Sequence, residues 1–229
     1  MNNAPENIQV EEMDKVYDVS RRRFFQFAGG LAGAGLLLSA ASCRRTRDSD
    51  IYVGEGDTGL LNYLYIIKQV TAAFWTQAVA TPYYNITKSE SDLQPDLRDQ
   101  EIAHREFLRS ILAANGLGTV VTDLSPVTFA DKTNFLNNAI LLEDLTVAAY
   151  HGTLKLFASA EYIPVIAKMA SVDARHASYV RHLLAHNTFG DGTAIDVNGL
   201  SMAVSPTTGM NTIGKYLQTK FDSSKLPTY

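Results

Sequence analysis

Cysteine and tryptophan are scarce in this chain, with one of each in 229 residues. The single cysteine, Cys43, excludes an intramolecular disulfide framework and any multi-cysteine zinc or iron–sulfur site. Seven prolines and fifteen glycines are too few for a collagen-like or low-complexity chain. Charge of one sign is also in short supply. Twenty basic against twenty-four acidic residues leave a net charge of −4, which gives no electrostatic reason to expect nucleic acid as a partner. There is no glycine-rich phosphate loop, since Gly29-Gly30 belongs to an N-terminal apolar segment, and Ser110 lacks a hydrolase setting. What is present, 46% apolar and 19% charged residues, is the composition of an ordinary globular protein.

The N-terminal residues 1–50 read differently from the rest. A polar leader to Val19 is followed by Ser20-Arg21-Arg22-Arg23-Phe24-Phe25-Gln26 and then by an apolar, glycine-rich run from Phe27 to Ala41. At about 15 residues that run is short for ~30 Å of hydrocarbon, and its charged, apolar, small-residue layout is that of a secretory signal. The segment resembles the twin-arginine translocation signal, a route for proteins exported already folded. A retained N-terminal membrane anchor is the alternative. Cys43 follows Ser39-Ala40-Ala41-Ser42, which resembles a bacterial lipobox with Ala40 where leucine is usual. Acylation of Cys43 would hold the mature chain on a membrane at ~0.8 kcal/mol per buried methylene, with Arg44, Arg45 and Arg47 at the headgroups. A plain cleavage site with an incidental cysteine is the alternative there. The expectation is a signal and lipidation segment over 1–43, a linker over 44–56, and a periplasmic or membrane-anchored location in the cell envelope.

From Asp57 onward, four segments carry apolar residues at alternating three- and four-residue steps, which keeps them on one helical face. They are Leu61, Leu64, Lys68, Thr71, Trp75, Ala78; Leu97, Glu101, His104, Leu108, Ile111; Leu136, Ala139, Glu143, Val147, Tyr150, Leu154, Phe157; and Ile166, Met169, Asp173, His176, Val180, Leu183. Asp57 and Thr58 are expected to cap the first helix, and Asn115-Gly116 to stop the second. The first and last pairs have connections compatible with antiparallel hairpins. Between them lie about 15 residues, Gly116 to Ala130, which at ~3.3 Å per extended residue can run the length of a ~30 Å bundle. Two hairpins with one long crossover make an all-α, ferritin-like four-helix bundle over 57–186. Residues 187–229 read as a Gly/Thr-rich extension ending in a short helix around Ile213 to Phe221.

Each of the four seams carries an ionisable residue at its centre. The second and fourth offer acid-x-x-His pairs, Glu101 with His104 and Asp173 with His176, whose members lie about 60° apart on one helical face and can address a common ion. The third offers Glu143, with Tyr150 seven residues later. Such groups are expensive in an apolar interior unless paired or metal-bound. Other candidates carry less: His151 points off its seam, His182 and His186 are four apart at a helix end and compatible with a surface metal or with the helix dipole, and Trp75, Phe74, Tyr63 and Tyr65 read as core aromatics.

Over residues 57–186 the chain resembles the ferritin-like superfamily, and within it the bacterial and plant domains related to desiccation-associated proteins. The resemblance rests on Leu142-Glu143-Asp144-Leu145 leading to Tyr150 with Asp173 and His176, and on Ile67-Lys68-Gln69-Val70 leading to Phe74-Trp75 with Glu101 and His104. It implies two metal ions, iron or manganese, each half supplying a terminal Glu, a bridging Glu and a His. This chain departs from that set at Lys68, where the first-helix Glu belongs, and at Asp173, one methylene short. Three readings follow: one iron or manganese ion on Glu143, Asp173 and His176 with Glu101; a metal-free network in which Lys68 replaces the metal; and a full two-metal oxidoreductase handling oxygen or peroxide, with Tyr150 as a redox neighbour. The expected role is metal binding or stress protection in the envelope. Partners expected are a membrane, through Cys43, and no nucleic acid; a homo-oligomer is compatible with the sequence.

Overall fold

The computed structural model describes residues 50–229, so the leader and Cys43 lie outside the described residues. Four long helices form two side-by-side pairs: α1 (Gly56–Ala80) with α2 (Lys88–Leu112), and α3 (Lys132–Leu154) with α4 (Tyr162–Leu184). A short α5 (Pro206–Ile213) packs on α1 and α3. Two-residue strands β1 (Ile51–Tyr52) and β2 (Phe221–Asp222) pair in parallel, Ile51 opposite Phe221. The all-α, ferritin-like bundle expected from the spacing is therefore the fold observed. Among the described residues no helix is long and apolar enough to cross a membrane.

The helices bury themselves differently. α2 is amphipathic, burying Glu90, Gln94, Leu97, Glu101, His104, Leu108 and Leu112 at three- and four-residue steps. Leu112 takes the place expected for Ile111, which is half-buried. α1 does not keep to one seam. It buries Leu60, Tyr63, Ile66, Ile67, Val70 and Phe74 as well as the expected positions, because α2, α3, α5 and the crossover cover it from several sides. A helix that is apolar nearly all round belongs in the middle of a fold.

Buried polar residues of α1 hold the crossover in place. Val120 N donates to Gln69 Oε1 (2.9 Å) and Leu117 N to Asn62 Oδ1 (3.0 Å), while Asn62 Nδ2 donates to Val53 O and Asn115 O. The contacts at Val120 and Val53 satisfy backbone groups of buried residues, and those at Leu117 and Asn115 tie down the start of the crossover. At the far end of the crossover, Thr87 and Glu90 form a reciprocal capping box at the start of α2. Lys132 Nζ, at the start of α3, donates to Glu90 Oε1 at 2.7 Å and joins the two hairpins.

Several local expectations are corrected. α1 begins at Gly56 after Glu55, and neither Asp57 nor Thr58 is its N-cap residue. Asp57 instead accepts from Ala158 N (2.7 Å) and Ser159 N (2.9 Å), tying the α3–α4 turn to the start of α1. α2 ends at Leu112, and Ala113–Asn115 form a 3₁₀ turn before Gly116. Phe157 lies beyond the end of α3, though it is buried. The terminal helix is Pro206–Ile213, capped by Ser205, rather than a helix starting at Ile213. Met210, Ile213, Tyr216 and Leu226 from the 187–229 segment enter the hydrophobic core. Gly152 lets this segment close over α3: a Cβ there would meet Val204 O at 1.9 Å, and Val204 N donates to Ala148 O at 3.0 Å.

Candidate metal centre

The mid-points of the four long helices meet at one buried cluster. Lys68 comes from α1, Glu101 and His104 from α2, Glu143 and Tyr150 from α3, Asp173 and His176 from α4. Lys68, Glu101, Glu143 and Asp173 are fully buried, and the histidine side chains are about 10% exposed. The histidines are thus the side of the cluster nearest solvent. Glu101, His104, Glu143, Asp173 and His176, the ligands expected on the helix seams, are all in this cluster.

Each carboxylate has one oxygen engaged by a protein donor. Lys68 Nζ donates to Glu101 Oε2 at 2.5 Å and to Asp173 Oδ2 at 2.6 Å. Thr71 Oγ1 also donates to Glu101 Oε2, and Trp75 Nε1 donates to Glu143 Oε1 at 2.6 Å. The three donors, Lys68, Thr71 and Trp75, stand at i, i+3 and i+7 of α1 and so share a face. The sequence places Trp75 among the core aromatics, and it is buried. Its role as a donor escaped the sequence reading, although its place on the Lys68 seam was the available signal.

The other oxygen of each carboxylate is left without a hydrogen bond, as is Nδ1 of each histidine: Glu101 Oε1, Glu143 Oε2, Asp173 Oδ1, His104 Nδ1 and His176 Nδ1. They fall in two overlapping sets, one around His176 Nδ1 and one beside His104 Nδ1. His176 Nδ1 lies 3.4 Å from Glu101 Oε1, 3.7 Å from Asp173 Oδ1 and 3.9 Å from Glu143 Oε2. His104 Nδ1 lies 3.0 Å from Asp173 Oδ1. Ligands on a common ion with bonds of about 2.0–2.2 Å stand roughly 3.0–4.2 Å apart, depending on the angle between them. The separations fall in that interval, and close approach without hydrogen-bond alignment is what co-ligands show. Two groups of three, Glu101 with His104 and Asp173, and Glu101 with Glu143 and His176, can each hold a metal ion. Carboxylate and imidazole donors together suit iron, manganese or zinc.

The electrostatics divide the cluster. Burial alone would pull the Lys68 ammonium down, but Asp173, Glu101 and Glu143 outweigh it and hold its pKa above the usual lysine value. Burial opposes ionisation of Glu101 and Asp173 too, yet the ammonium beside them keeps both below the usual carboxylate range, with His104 assisting at Asp173. Glu143 has no such cation in contact. Burial, and next the charge of Glu101, push its pKa up to about 8. Burial lowers and the neighbouring Glu101 and Glu143 raise the His176 imidazole, with a net rise. Tyr150 is held well above the usual phenol value by burial and by Asp173, and Lys68 Nζ is 5.9 Å from its ring.

A family model for the ferritin-like domain matches residues 56–186, more than half of the chain. The chain belongs to the ferritin-like domain family. No curated protein matches it. In this ferritin-like domain the four-helix interior and its carboxylate–histidine cluster coincide, while the remaining histidines lie elsewhere. His151 is half-buried, and burial lowers its pKa. His182 and His186 are exposed at the end of α4. A surface groove of about 600 Å³ between α3, α4 and the 187–204 segment, containing the Asp144–Arg181 ion pair, lies apart from the cluster.

Proposed function

We propose that this ferritin-like protein binds one iron or manganese ion through Glu101, Glu143, Asp173 and His176, in a binding or stress-protective role at the bacterial cell envelope. The approach of one oxygen each of Glu101, Asp173 and Glu143 to His176 Nδ1, at 3.4 to 3.9 Å, carries the proposal. Once Glu143 and both imidazoles give up their protons to make room for an ion, three carboxylates and one ammonium would leave two negative charges, which a divalent cation balances. Bound iron or manganese would supply one-electron chemistry with oxygen species. Lys68 and Thr71 hold Glu101, Lys68 holds Asp173 and Trp75 holds Glu143, each with its free oxygen toward the centre. His104, close to Asp173 Oδ1, stands on the side nearest solvent and shields the carboxylates from water.

Lys68 favours one ion over two. Like charges 4 Å apart repel by about 4 kcal/mol per unit charge pair at an effective dielectric of 20, so a second cation beside the ammonium is opposed. A two-metal oxidoreductase is therefore the weaker alternative. The ion pairs of Lys68 with Glu101 and Asp173 favour a second reading, a metal-free structural network. Elemental analysis of protein purified without chelator separates the readings. Iron or manganese near one per chain, lost in Glu143→Ala, supports the single-ion centre; none, with stability indifferent to chelator, supports the network.

The envelope assignment rests on the Ser20-Arg21-Arg22-Arg23-Phe24-Phe25 segment and on Cys43 after Ser39-Ala40-Ala41-Ser42. Mass spectrometry of the mature N-terminus tests it. An acylated Cys43 with membrane-fraction localisation supports a lipoprotein, and a soluble, unmodified N-terminus overturns it.

A further inference from the structure

We propose that His182 and His186 form a second, surface metal site, a two-imidazole chelate for a borderline divalent ion of the Cu²⁺, Ni²⁺ or Zn²⁺ class. His182 lies in the last turn of α4 and His186 two residues beyond its end, and both are exposed. His182 Nε2 and His186 Nδ1 are 3.1 Å apart, with ring centroids 4.5 Å apart and planes at 77°. Two metal–imidazole bonds of 2.0–2.1 Å span about 2.9 Å at a right angle and about 3.4 Å at the tetrahedral angle. The nitrogens therefore already stand at the bite distance of such a chelate. A pair of histidines at i and i+4 is also the ligand half of the helical zinc motif.

The backbone fixes this register past the helix end. Thr188 Oγ1 donates to Arg181 O at 3.0 Å and to Ala185 O at 2.6 Å, and Asn187 takes a left-handed φ of 67°. The turn so formed keeps His186 over His182. The C-terminal end of α4 presents the negative end of its dipole, which favours a cation. Arg181, the adjacent cation in sequence, is paired with Asp144 and Asp191, so its charge is compensated. The rings face solvent, and water completes the coordination. This site owes nothing to the buried centre: His176 sits six residues earlier, about 9 Å along the helix axis.

Full-length protein is titrated with Cu²⁺ and followed by electron paramagnetic resonance, alongside His182→Ala, His186→Ala and the double variant, so that uptake at the buried centre is common to all four and cancels. The site requires one more Cu²⁺ per chain in the wild type than in the double variant, with two coupled nitrogens in the difference spectrum. Each single variant is expected to bind that ion at least about tenfold more weakly, because the second imidazole is delivered intramolecularly. Zn²⁺ displaces it at excess. Equal Cu²⁺ uptake by wild type and double variant would overturn the proposal and leave the 3.1 Å contact as an imidazole hydrogen bond. So would a single nitrogen coupling indifferent to His186→Ala. Unchanged circular dichroism in the variants keeps any loss attributable to the removed ligands.

Discussion

The two hairpins bring matching parts to the centre with one difference. The second hairpin offers Glu143, Asp173 and His176; the first offers Lys68, Glu101 and His104. An ammonium therefore stands at the α1 position corresponding to Glu143 on α3. Its effect is unequal because it touches Glu101 and Asp173 but not Glu143. The two carboxylates it touches are held ionised, and the third has a pKa near 8. One cation placed off-centre thus splits a carboxylate cluster into two acids held ionised against a single ammonium and a third that takes up a proton or a metal.

The comparison is broken most severely at Lys68. Lys68→Met leaves Glu101 and Asp173 buried without their partner, and removing one member of a buried ion pair typically costs about 3–5 kcal/mol. Urea denaturation of metal-free protein should register that loss, with Mn²⁺ restoring part of it. Lys68→Glu makes the halves alike. It should raise the metal content above that of the wild type by elemental analysis, and an unchanged content would mean that the charge of residue 68 does not set the stoichiometry.

The pH dependence sharpens the contrast further. Folded pKa values of Glu143 and His176 lie above their ordinary values, so the folded state binds more protons than the unfolded one and stability falls as pH rises. For Glu143 that window runs from about 4.5 to about 8. Metal-free protein should lose stability across it, on the order of a few kcal/mol, and Glu143→Gln should largely flatten the profile. Glu101 and Asp173, whose pKa values are lowered, act in the opposite sense, with stability lost only in acid below the ordinary carboxylate range. Added Mn²⁺ competes with the Glu143 proton, so stabilisation by the metal should grow with pH.

The smallest expected effect is at Trp75. Trp75→Phe removes the donor to Glu143 Oε1 while keeping most of the aromatic packing against Phe74 and Phe135. Metal affinity should fall about 10–100-fold, as for other groups that orient a ligand, with little change in fold by circular dichroism. An affinity equal to the wild type would show that Glu143 needs no orienting donor.

The bundle and the convergence of its polar residues were legible because four seams at 3-4 spacing each placed an ionisable group at mid-helix, a pattern only a shared interior explains. The crossover was legible from its length. The exact caps were not: Asp57 has the composition of a cap, but tertiary contact with Ala158 and Ser159 claims its carboxylate. The breadth of α1 burial was missed because a seam records one face, while coverage by α2, α3, α5 and the crossover is a property of the whole fold. The 187–229 segment looked like a loose extension for the same reason: its Gly, Thr and Ser residues obscure the few positions, Met210, Ile213, Tyr216 and Leu226, that reach the core. Which oxygen of each carboxylate would be left open could be read only from coordinates.

The ammonium of Lys68 has a further consequence for the order of events in the life of the molecule. Because it pairs with two of the three acids from within the chain, the bundle can close without an ion. Assembly would then not depend on loading: folding could finish where an ion is scarce, and a site of this kind could be filled afterwards.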